Sequence, residues 1–479
     1  MVDLDGHNRN VTSLLVFWAA TLILALIVIR LVSLGLFPLY DTTEARYGEM
    51  ARIMYETNNW VTPQFDYNVP FWGKPPFQTW ISALSFSWFG VNEFSARLPH
   101  FACGLITGYL VYRFTKSLTN KNSAIFSLLV LTSSLGFIIA IGMVMTDSAL
   151  LMAYTLAMVC YWQCYSQEDK VVSGHLFFVA LALGMLIKGP VAVVLIGIAL
   201  VLWSFWQGCF KVAIKSLPWL TGMMVFLLLT LPWYVWAEIR TPGFLEYFII
   251  GEHVQRFLVS GWQGDLYGTA HVKPRGIIWL YWLVCASPWS FVVIGLIIKR
   301  YRGVELPSNR FQALGINKYL ICWVISPLLL FTLAGNILPI YVLPGFSALA
   351  VLVAINCRLT KSSNYLALFS VALLGVVLTL LSLGVVNKKS ESELLGVNRT
   401  FSQYTPLYYW NKRPFSAQFY SKGQAQLLED KDKLIHLLTS DESFFIGIRH
   451  KDFELLKPIL IPICVGTNQT KKRLLLKCN

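Results

Sequence analysis

The apolar stretch Ser13–Leu36, SLLVFWAATLILALIVIRLVSLGL, decides the fold class of this chain. It is long enough to cross a hydrocarbon core of about 30 Å, which needs roughly 20 helical residues. Similar runs recur as far as Val386, and about eleven can be counted. Arg30, the one charge inside the first run, is near enough to its outer end for the side chain to snorkel to the headgroups. The pattern predicts a polytopic, all-helical membrane protein.

The composition excludes a soluble enzyme. Of 479 residues, 56% are hydrophobic and only 13% are charged, against roughly 25% charged in soluble domains. The formal net charge is +14, but no dense basic tract with interleaved aromatics indicates a nucleic-acid partner. The positive residues instead fall in every second gap between apolar runs: Arg113, Lys116, Lys121, Lys170, Lys211, Lys215, Lys299, Arg300, Arg302, Arg310, Lys318, Arg358 and Lys361.

Those basic gaps predict an orientation, because short loops rich in Lys and Arg face the cytoplasm. With an odd number of spans, the N-terminus is cytoplasmic and the C-terminal tail lies on the opposite side. Residues 1–386 are predicted to form the membrane domain, with outer loops at 37–98 and 238–275. The first loop should contain helices along the membrane surface at 44–56 and 77–89.

From residue 387 the charged residues return and the apolar stretches shorten, which predicts a small soluble α+β domain over 387–479. Cys464 and Cys478 share this tail. They could form a disulfide if the tail lies in an oxidising compartment, and the sequence leaves this open because it gives no distance. The other cysteines lie in or beside apolar runs and are predicted to be packing residues.

Ionisable residues that could take part in a reaction collect at the predicted outer boundary, whereas the predicted cytoplasmic gaps hold only basic loop residues. One such charge commonly just anchors a helix in the headgroup layer. Acids, cations and histidines together on one side are more typical of a site. The residues are Asp41, Glu44, Arg46, Lys74, Asp147, Lys188, His253, Arg256 and His271.

Asp147 lies between two long apolar runs, where a carboxylate needs a partner or a purpose. Lys188 lies at the matching boundary of the next outer turn. Together with Lys74 and Arg256, Lys188 could hold a phosphate while a first-loop acid faces the other reactant.

Six motifs carry a resemblance to a known family. The chain is similar in them to the bacterial aminoarabinose transferases that modify lipid A, within the GT-C glycosyltransferases related to protein mannosyltransferases. The resemblance runs from about Leu36 to Gly345. The motifs are Asp41-Thr-Thr-Glu44-Ala-Arg46-Tyr47-Gly-Glu49-Met-Ala-Arg52, Gly73-Lys74-Pro75-Pro76, Thr146-Asp147, Lys188-Gly189, Glu252-His253-Val-Gln255-Arg256-Phe257 and Leu338-Pro339-Ile-Tyr341-Val-Leu343-Pro344.

The resemblance implies an inverting transfer of 4-amino-4-deoxy-L-arabinose or a related sugar from an undecaprenyl-phosphate carrier to lipid A or another envelope glycolipid. The reaction would take place on the periplasmic face of the bacterial inner membrane. A hydroxyl acceptor would need a carboxylate base, whereas a phosphate acceptor would need an acid only for orientation. The implied catalytic residues are Asp41, Glu44 and Asp147, and the implied substrate-binding residues are Arg46, Lys74, Lys188, His253, Arg256 and Tyr341.

Three positions depart from the family pattern. The usual Asp before the first-loop Glu is Thr43, the acid that often precedes Lys-Pro is Gly73, and the lysine often found before Leu-Pro is Ile337. The first change leaves open whether Asp41 or Glu44 is the acting acid. All three leave open the sugar and the acceptor.

No cofactor is predicted besides the lipid-phosphate sugar donor. A divalent metal bound by His253 and His271 is a lesser alternative, since their spacing is no metal motif. A second alternative keeps the donor but has protein or another glycan as acceptor. A third is a transporter, which should show paired repeats and ionisable groups near the bilayer midplane. The sequence displays neither feature, which favours the transferase.

Overall fold

The computed structural model describes residues 4–268, 271–303, 314–383, 390–396, 405–440 and 442–479. Up to residue 383 it is almost entirely helical, which confirms the predicted fold class. The helices are α1 (Leu4–Ser33), α2 (Thr43–Thr57), α3 (Phe77–Phe89), α4 (Glu93–Leu118), α5 (Lys121–Ser133), α6 (Leu135–Ala140), α7 (Thr146–Tyr165), α8 (Lys170–Lys188), α9 (Pro190–Gln207), α10 (Phe210–Lys215), α11 (Trp219–Arg240), α12 (Arg256–Leu258), α13 (Ile277–Cys285), α14 (Trp289–Tyr301), α15 (Ile316–Leu333), α16 (Phe346–Asn356) and α17 (Lys361–Ser382).

Two less regular helices and a small ribbon complete this part of the chain. A π-helix, Glu246–Gln255, precedes α12, and a 3₁₀ helix, Pro339–Gly345, leads into α16. Strands β1 (Gln64–Asp66) and β2 (Val69–Pro70) form an antiparallel ribbon in the first outer loop. Both irregular helices lie at the ends of long helices, and both contribute residues to the site described below.

Seven segments among the described residues are long and apolar enough to cross a membrane. The bent pair α13 and α14, with 109° between its halves, would make an eighth. The chain is therefore a multi-pass membrane protein. Helix α4, helix α7 and the pair α5 and α6 are less apolar, and with them the count would be eleven, which stays a prediction. The seven segments are Thr12–Ser33, Lys170–Lys188, Pro190–Gln207, Trp219–Arg240, Ile316–Leu333, Pro339–Asn356 and Lys361–Ser382.

Helix α7 lies inside the bundle and packs against α4, α8 and the 3₁₀ helix. Most of its side chains are buried, among them Tyr154, whose hydroxyl lies 2.6 Å from Ser326 Oγ on α15. A helix surrounded by other helices can carry polar groups because its neighbours satisfy them. This position accounts for the modest hydropathy of α7. The first turn of α7, which carries Asp147, is likewise buried.

Arg30 does not snorkel, contrary to the expectation from sequence. Its side chain is 3% exposed and donates to Ser33 Oγ at 3.0 Å and to the carbonyl of Ile139 at 3.1 Å. The guanidinium is thus held against α6 within the protein. The expectation was wrong because depth along a helix does not reveal which of its faces is covered by protein.

Wherever the structure describes them, the predicted basic gaps connect successive helices on one side of the bundle. Lys116 lies in the last turn of α4, Lys121 begins α5, and Lys170 begins α8. Asp147 and Lys188 mark the opposite ends of these helices. Arg310 lies outside the described residues.

The two predicted helices of the first outer loop are confirmed as α2 and α3. Helix α2 is unexpectedly buried, with most of the side chains from Glu44 to Met54 covered. The cover comes from α3 and from α19 (Phe415–Tyr420) of the C-terminal tail, after the short helix α18 (Ser392–Leu395). The loop is therefore enclosed between the membrane bundle and the tail.

The tail contains the predicted small α+β fold. Its five-stranded sheet has the order β4-β3-β5-β7-β6, in which β3 pairs in parallel with β4 and β5, and β7 pairs antiparallel with β5 and β6. A disulfide between Cys464 and Cys478 joins β6 to β7, which resolves the question the sequence left open. The further elements are β3 (Leu407–Trp410), β4 (Ala425–Leu428), α20 (Lys431–Thr439), β5 (Phe444–Arg449), α21 (His450–Leu460), β6 (Cys464–Gln469) and β7 (Arg473–Cys478).

Candidate active site

Asp147 and Lys188 form a buried ion pair at the predicted outer end of the bundle. Asp147 is in the first turn of α7 and Lys188 is the last residue of α8, so each charge complements the dipole of its helix. Lys188 Nζ lies 2.6 Å from Asp147 Oδ1, and both side chains are 9% exposed. The same ammonium lies 4.6 Å from the centre of the Tyr341 ring. The turns that carry Asp147 and Lys188, which the sequence puts at matching boundaries of neighbouring apolar runs, are therefore in direct contact.

Lys74 and Arg256 meet around a shared carboxylate, Glu252. Glu252 Oε2 lies 3.3 Å from Lys74 Nζ and 2.8 Å from Arg256 Nη1. Arg256 Nη2 lies 3.2 Å from Asp265 Oδ2, and Tyr247 donates to Glu252 Oε1 at 3.3 Å. Burial by itself would raise the pKa of Glu252, but the charges of Lys74 and Arg256 outweigh it and hold that pKa below its ordinary value. Glu252 is therefore ionised at neutral pH.

Tyr341, in the 3₁₀ helix, connects the two charged groups. Its hydroxyl interacts electrostatically with Lys74, Asp147, Arg256 and Glu252. Lys74, Asp147 and the turn that carries Glu252 and Arg256 come from three segments of the chain, and Lys188 and Tyr341 add two more, so one site is built from five segments. The site includes five of the predicted residues, Lys74, Asp147, Lys188, Arg256 and Tyr341.

His253 lies beside this site with both ring nitrogens engaged. Nδ1 lies 2.7 Å from the carbonyl oxygen of Phe248, and Nε2 lies 3.1 Å from that of Lys188. Burial lowers the pKa of His253, so the imidazole is neutral and donates to one of these carbonyls. The contact with the Lys188 carbonyl ties the π-helix to the end of α8. In this arrangement the imidazole is a link between two segments.

Gly189 makes that contact sterically feasible. It follows Lys188 with φ of +77°, a conformation that favours glycine. A Cβ atom at this position would lie 2.5 Å from Phe248 and 3.1 Å from His253 Cε1. The Lys-Gly motif therefore lets the turn between α8 and α9 pack closely against the π-helix.

Arg46 belongs to the first outer loop and packs against the second outer loop. Its Nη1 donates to the carbonyl of Tyr267 at 2.7 Å, and its guanidinium lies over the rings of Tyr47 and Phe71 at 5.1 and 5.8 Å. Its Nε is buried without a hydrogen-bond partner. Within the described part of the chain it forms no ion pair within 4.0 Å, unlike Lys74, Lys188 and Arg256. It is thus a predicted site cation whose charge is not neutralised by direct contact.

The contacts of Glu44 hold the fold together and do not reach the site. Its carboxylate accepts from Arg97 Nε at 3.0 Å, from Arg97 Nη2 at 2.9 Å and from the backbone N–H of Val144 at 3.1 Å. Both side chains of the ion pair are almost fully buried, at 1% and 0% exposed. Arg97 also donates to the carbonyls of Leu34 and Phe37. Glu44 therefore fastens the first loop to α4, and it makes no hydrogen bond or ion pair with the cations of the site.

Asp41 faces the C-terminal tail. It accepts from the backbone N–H of Ser416 at 3.1 Å and from the hydroxyl of the same residue. Burial raises the pKa of Asp41, and these hydrogen bonds oppose the effect. Ser416 Oγ also lies 3.0 Å from the backbone N of Glu391, which pairs with Arg473 at 3.2 Å. Like Glu44, Asp41 is not in contact with Lys74, Lys188 or Arg256.

Two acids of the site were not assigned a role from sequence. Glu252 was part of a quoted motif, and its spacing of four residues from Arg256 is the spacing of helical ion pairs. Asp265 lies in the second outer loop, nine residues after Arg256. The i,i+4 spacing could have revealed the first acid, but no local signal connects Asp265 to Arg256.

The residues described by the structure contain no group of three or more His, Cys, Asp or Glu side chains placed to hold a metal ion. His271, the other histidine considered as a ligand, is exposed. The nitrogens of His253 face carbonyl oxygens, as described above. The residues of this arrangement do not fit a metal site.

Comparison with known proteins places this geometry in context. Residues 12–248 match the family model for dolichyl-phosphate-mannose-protein mannosyltransferase. The undecaprenyl phosphate-alpha-4-amino-4-deoxy-L-arabinose arabinosyl transferase of Erwinia tasmaniensis is 31% identical over 332 residues, which are 68% of this chain and 56% of that protein. The enzyme of the same description from Shewanella sediminis is 28% identical over 338 residues, 68% of this chain and 57% of its own. The chain therefore spans a little over half the length of these curated relatives.

A solved structure extends the comparison over the whole chain. The crystal structure of ArnT from Cupriavidus metallidurans bound to undecaprenyl phosphate superposes with a TM-score of 0.78 at 17% sequence identity, covering 96% of this chain and 98% of that one. At this identity the match establishes the fold, including the helical bundle and the small C-terminal sheet.

Proposed function

Since this chain has the GT-C fold and resembles the lipid A aminoarabinose transferases and the protein mannosyltransferases, we propose that it is an inverting membrane glycosyltransferase. It moves 4-amino-4-deoxy-L-arabinose or a related sugar from an undecaprenyl-phosphate carrier to lipid A or another envelope glycolipid. The observation that carries the proposal is the pairing of two partly exposed cations, Lys74 and Arg256, around Glu252. The buried pair of Lys188 and Asp147 lies against the Tyr341 ring. Lys74 and Arg256 suit the phosphate of a lipid carrier, because cations stabilise the charge of an anionic leaving group.

The proposed chemistry follows from these charges. An oxygen of the acceptor attacks the anomeric carbon of the sugar, and the bond between that carbon and the phosphate oxygen breaks. The electron pair leaves with the phosphate, whose growing negative charge is stabilised by Lys74 and Arg256. Asp147, which is paired with Lys188 beside the Tyr341 ring, orients the acceptor.

The acceptor is proposed to be anionic. Among the described acids near the site, Asp147, Glu252 and Asp265 are each paired with a cation, and Asp41 and Glu44 are engaged elsewhere. A phosphate on lipid A needs no strong base, because its oxygen is already ionised. Arg46, whose charge is not neutralised by direct contact, suits such a group. We therefore assign Arg46 to the acceptor, and Asp41 and Glu44 to holding the first loop.

A protein or glycan acceptor is the second candidate, and the match to the mannosyltransferase family model favours it. The donor class is the same in either case.

The proposed location is the bacterial inner membrane, with the N-terminus in the cytoplasm and the site and tail in the periplasm. We propose the division at residues 1–386 and 387–479, with outer loops 37–98 and 238–275. The disulfide in the tail supports this orientation, because such bonds persist in the periplasm and not in the cytoplasm.

Mass spectrometry of lipid A tests the proposal. Cells with the protein should contain lipid A heavier by one sugar residue, and cells with Asp147→Ala protein should not. Glu454→Gln, an exposed charge removal on the tail, serves as the matched control and should transfer normally. Unchanged lipid A in all strains, with a new sugar on protein or glycan fractions, would favour the second candidate. No sugar transfer to any fraction would refute both.

A further inference from the structure

The carboxylate of Glu252 lies between the two cations that are proposed to bind the donor phosphate. Only 3% of its side chain is exposed, whereas Lys74 and Arg256 are 22% and 24% exposed. Asp265 pairs with the other side of Arg256 and is 5% exposed. The formal charges of these four side chains sum to zero. The phosphate therefore meets cations that already have buried counterions.

Glu252 is held in this position by more than the two ion pairs. The hydroxyl of Tyr247 donates to Oε1, and Arg256 Nη1 contacts both carboxylate oxygens, at 3.0 and 2.8 Å. The π-helix fixes the backbone, with Gly251 packed beneath the ring of Trp262. A carboxylate so fixed stays beside the cations when a ligand binds at their exposed sides.

A fixed negative charge has different effects on the two ends of the proposed reaction. The phosphate of the donor is a diester with one negative charge. The phosphate that leaves is a monoester, whose second ionisation near pH 6 gives it almost two negative charges at pH 7.5. Coulomb repulsion from Glu252 therefore opposes the product about twice as strongly as the donor. Without it, the two cations would retain the product and slow its release.

We propose that Glu252 is a positioning residue that sets the charge of the phosphate site, so that the monoester product is bound less tightly than paired cations alone would bind it. This inference rests on the proposed function, since it assumes that a lipid phosphate binds at Lys74 and Arg256. In this role Glu252 makes the site discriminate between the phosphate diester of the donor and the phosphate monoester of the product.

Binding of two probes to the full-length protein in nanodiscs tests this role. The probes are undecaprenyl phosphate, a monoester, and its methyl ester, a diester. Glu252→Gln removes the charge and keeps the size and an acceptor oxygen, and Glu252→Asp keeps the charge. At pH 7.5 the affinity for the monoester relative to the diester should rise about tenfold in Glu252→Gln, which corresponds to about 1.4 kcal/mol. It should stay unchanged in Glu252→Asp and in the remote control Glu454→Gln.

A second pH makes the test specific for charge. At pH 5.5 the monoester carries one charge, like the diester, so the tenfold gain of Glu252→Gln should largely disappear. The other titratable groups around the cluster are the same in each protein, and their effect cancels when the proteins are compared at one pH. These groups are Lys74, Arg256, Asp265, Asp147, Lys188, Tyr247, Tyr267, Tyr341, His253 and His271.

Each outcome is decisive. An unchanged ratio in Glu252→Gln, with both probes bound, would overturn this inference and leave the proposed function intact. Loss of both probes in Glu252→Gln, with normal binding in Glu252→Asp, would also overturn it, because the charge would then serve only to hold the cations. If the wild-type protein binds neither probe, the proposed function itself fails.

Discussion

Replacing Asp147 alone should lower the free energy of unfolding more than replacing Asp147 and Lys188 together. Asp147→Ala leaves the Lys188 ammonium, whose side chain is 9% exposed, without its partner at 2.6 Å. An unpaired charge of this kind costs about 3–5 kcal/mol in a fully buried site. Because the Tyr341 ring stays 4.6 Å from the ammonium, we expect the lower end of that range, about 3 kcal/mol. The double variant Asp147→Ala/Lys188→Met has no buried charge and should lie within about 1 kcal/mol of wild type.

Stability and activity should therefore separate in these variants. Thermal unfolding of the full-length protein in detergent, followed by tryptophan fluorescence, gives the order wild type, double variant, single variant. Sugar transfer to lipid A, measured by mass spectrometry, should be lost in both variants, because the double variant repairs the fold and not the site. A double variant that transfers at the wild-type rate would refute the assignment of these residues to the reaction. A single variant as stable as the double would refute the burial argument.

Three other substitutions have defined outcomes. Lys74→Gln removes one of the two cations proposed to bind the departing phosphate. It should lower transfer at least tenfold in a detergent assay without changing the melting temperature by more than a few degrees. Full activity would contradict the site. Burial, with a contribution from Asp41 and against the opposing charge of Arg473, raises the pKa of Glu391 to about 7. The folded protein then keeps this proton up to about pH 7, while the unfolded chain loses it above about pH 4.5. The free energy of unfolding that depends on this group is therefore largest at pH 4 and falls by up to about 3 kcal/mol as the pH rises to about 7. The melting temperature should fall between pH 5 and pH 8 in wild type and stay nearly level in Glu391→Gln; parallel curves would contradict the assignment. Replacing Cys464 and Cys478 by serine opens a loop with a sequence separation of 14, and should destabilise the tail by about 3 kcal/mol in circular dichroism melts, whereas an unchanged melt would show that the bond is dispensable.

The membrane bundle was predictable from sequence because lipid imposes a strong rule. A chain that crosses hydrocarbon must satisfy its backbone internally, so long apolar runs become helices. The matching positions of Asp147 and Lys188, each at a boundary of neighbouring apolar runs, were also predictable, whereas their ion pair was not. In both cases the information is local, and the bilayer supplies the remaining constraint.

The partners of the first-loop acids were not predictable in the same way. Glu44 pairs with Arg97, 53 residues later, and Asp41 with Ser416, 375 residues later. No periodicity connects such positions, and the acids of the loop therefore looked available for catalysis. The fate of Arg30 has a similar cause, because only the packing of α6 on α1 decides that this side chain is enclosed.

The contact between the first outer loop and the tail has a consequence for the making of the protein. The Asp41 carboxylate, the backbone N–H of Leu39 and the Asp66 carboxylate are satisfied by Ser416, Tyr420 and Arg413, which the ribosome adds much later. At about 5–20 residues per second, the 375 residues from Asp41 to Ser416 take roughly 20–75 s to synthesise. In the proposed orientation, the loop has by then crossed the membrane but lacks the part of the α2 cover that the tail supplies. Residues from both ends of the chain must therefore meet before the first loop is complete, and in that orientation the export of the tail is the step that completes it.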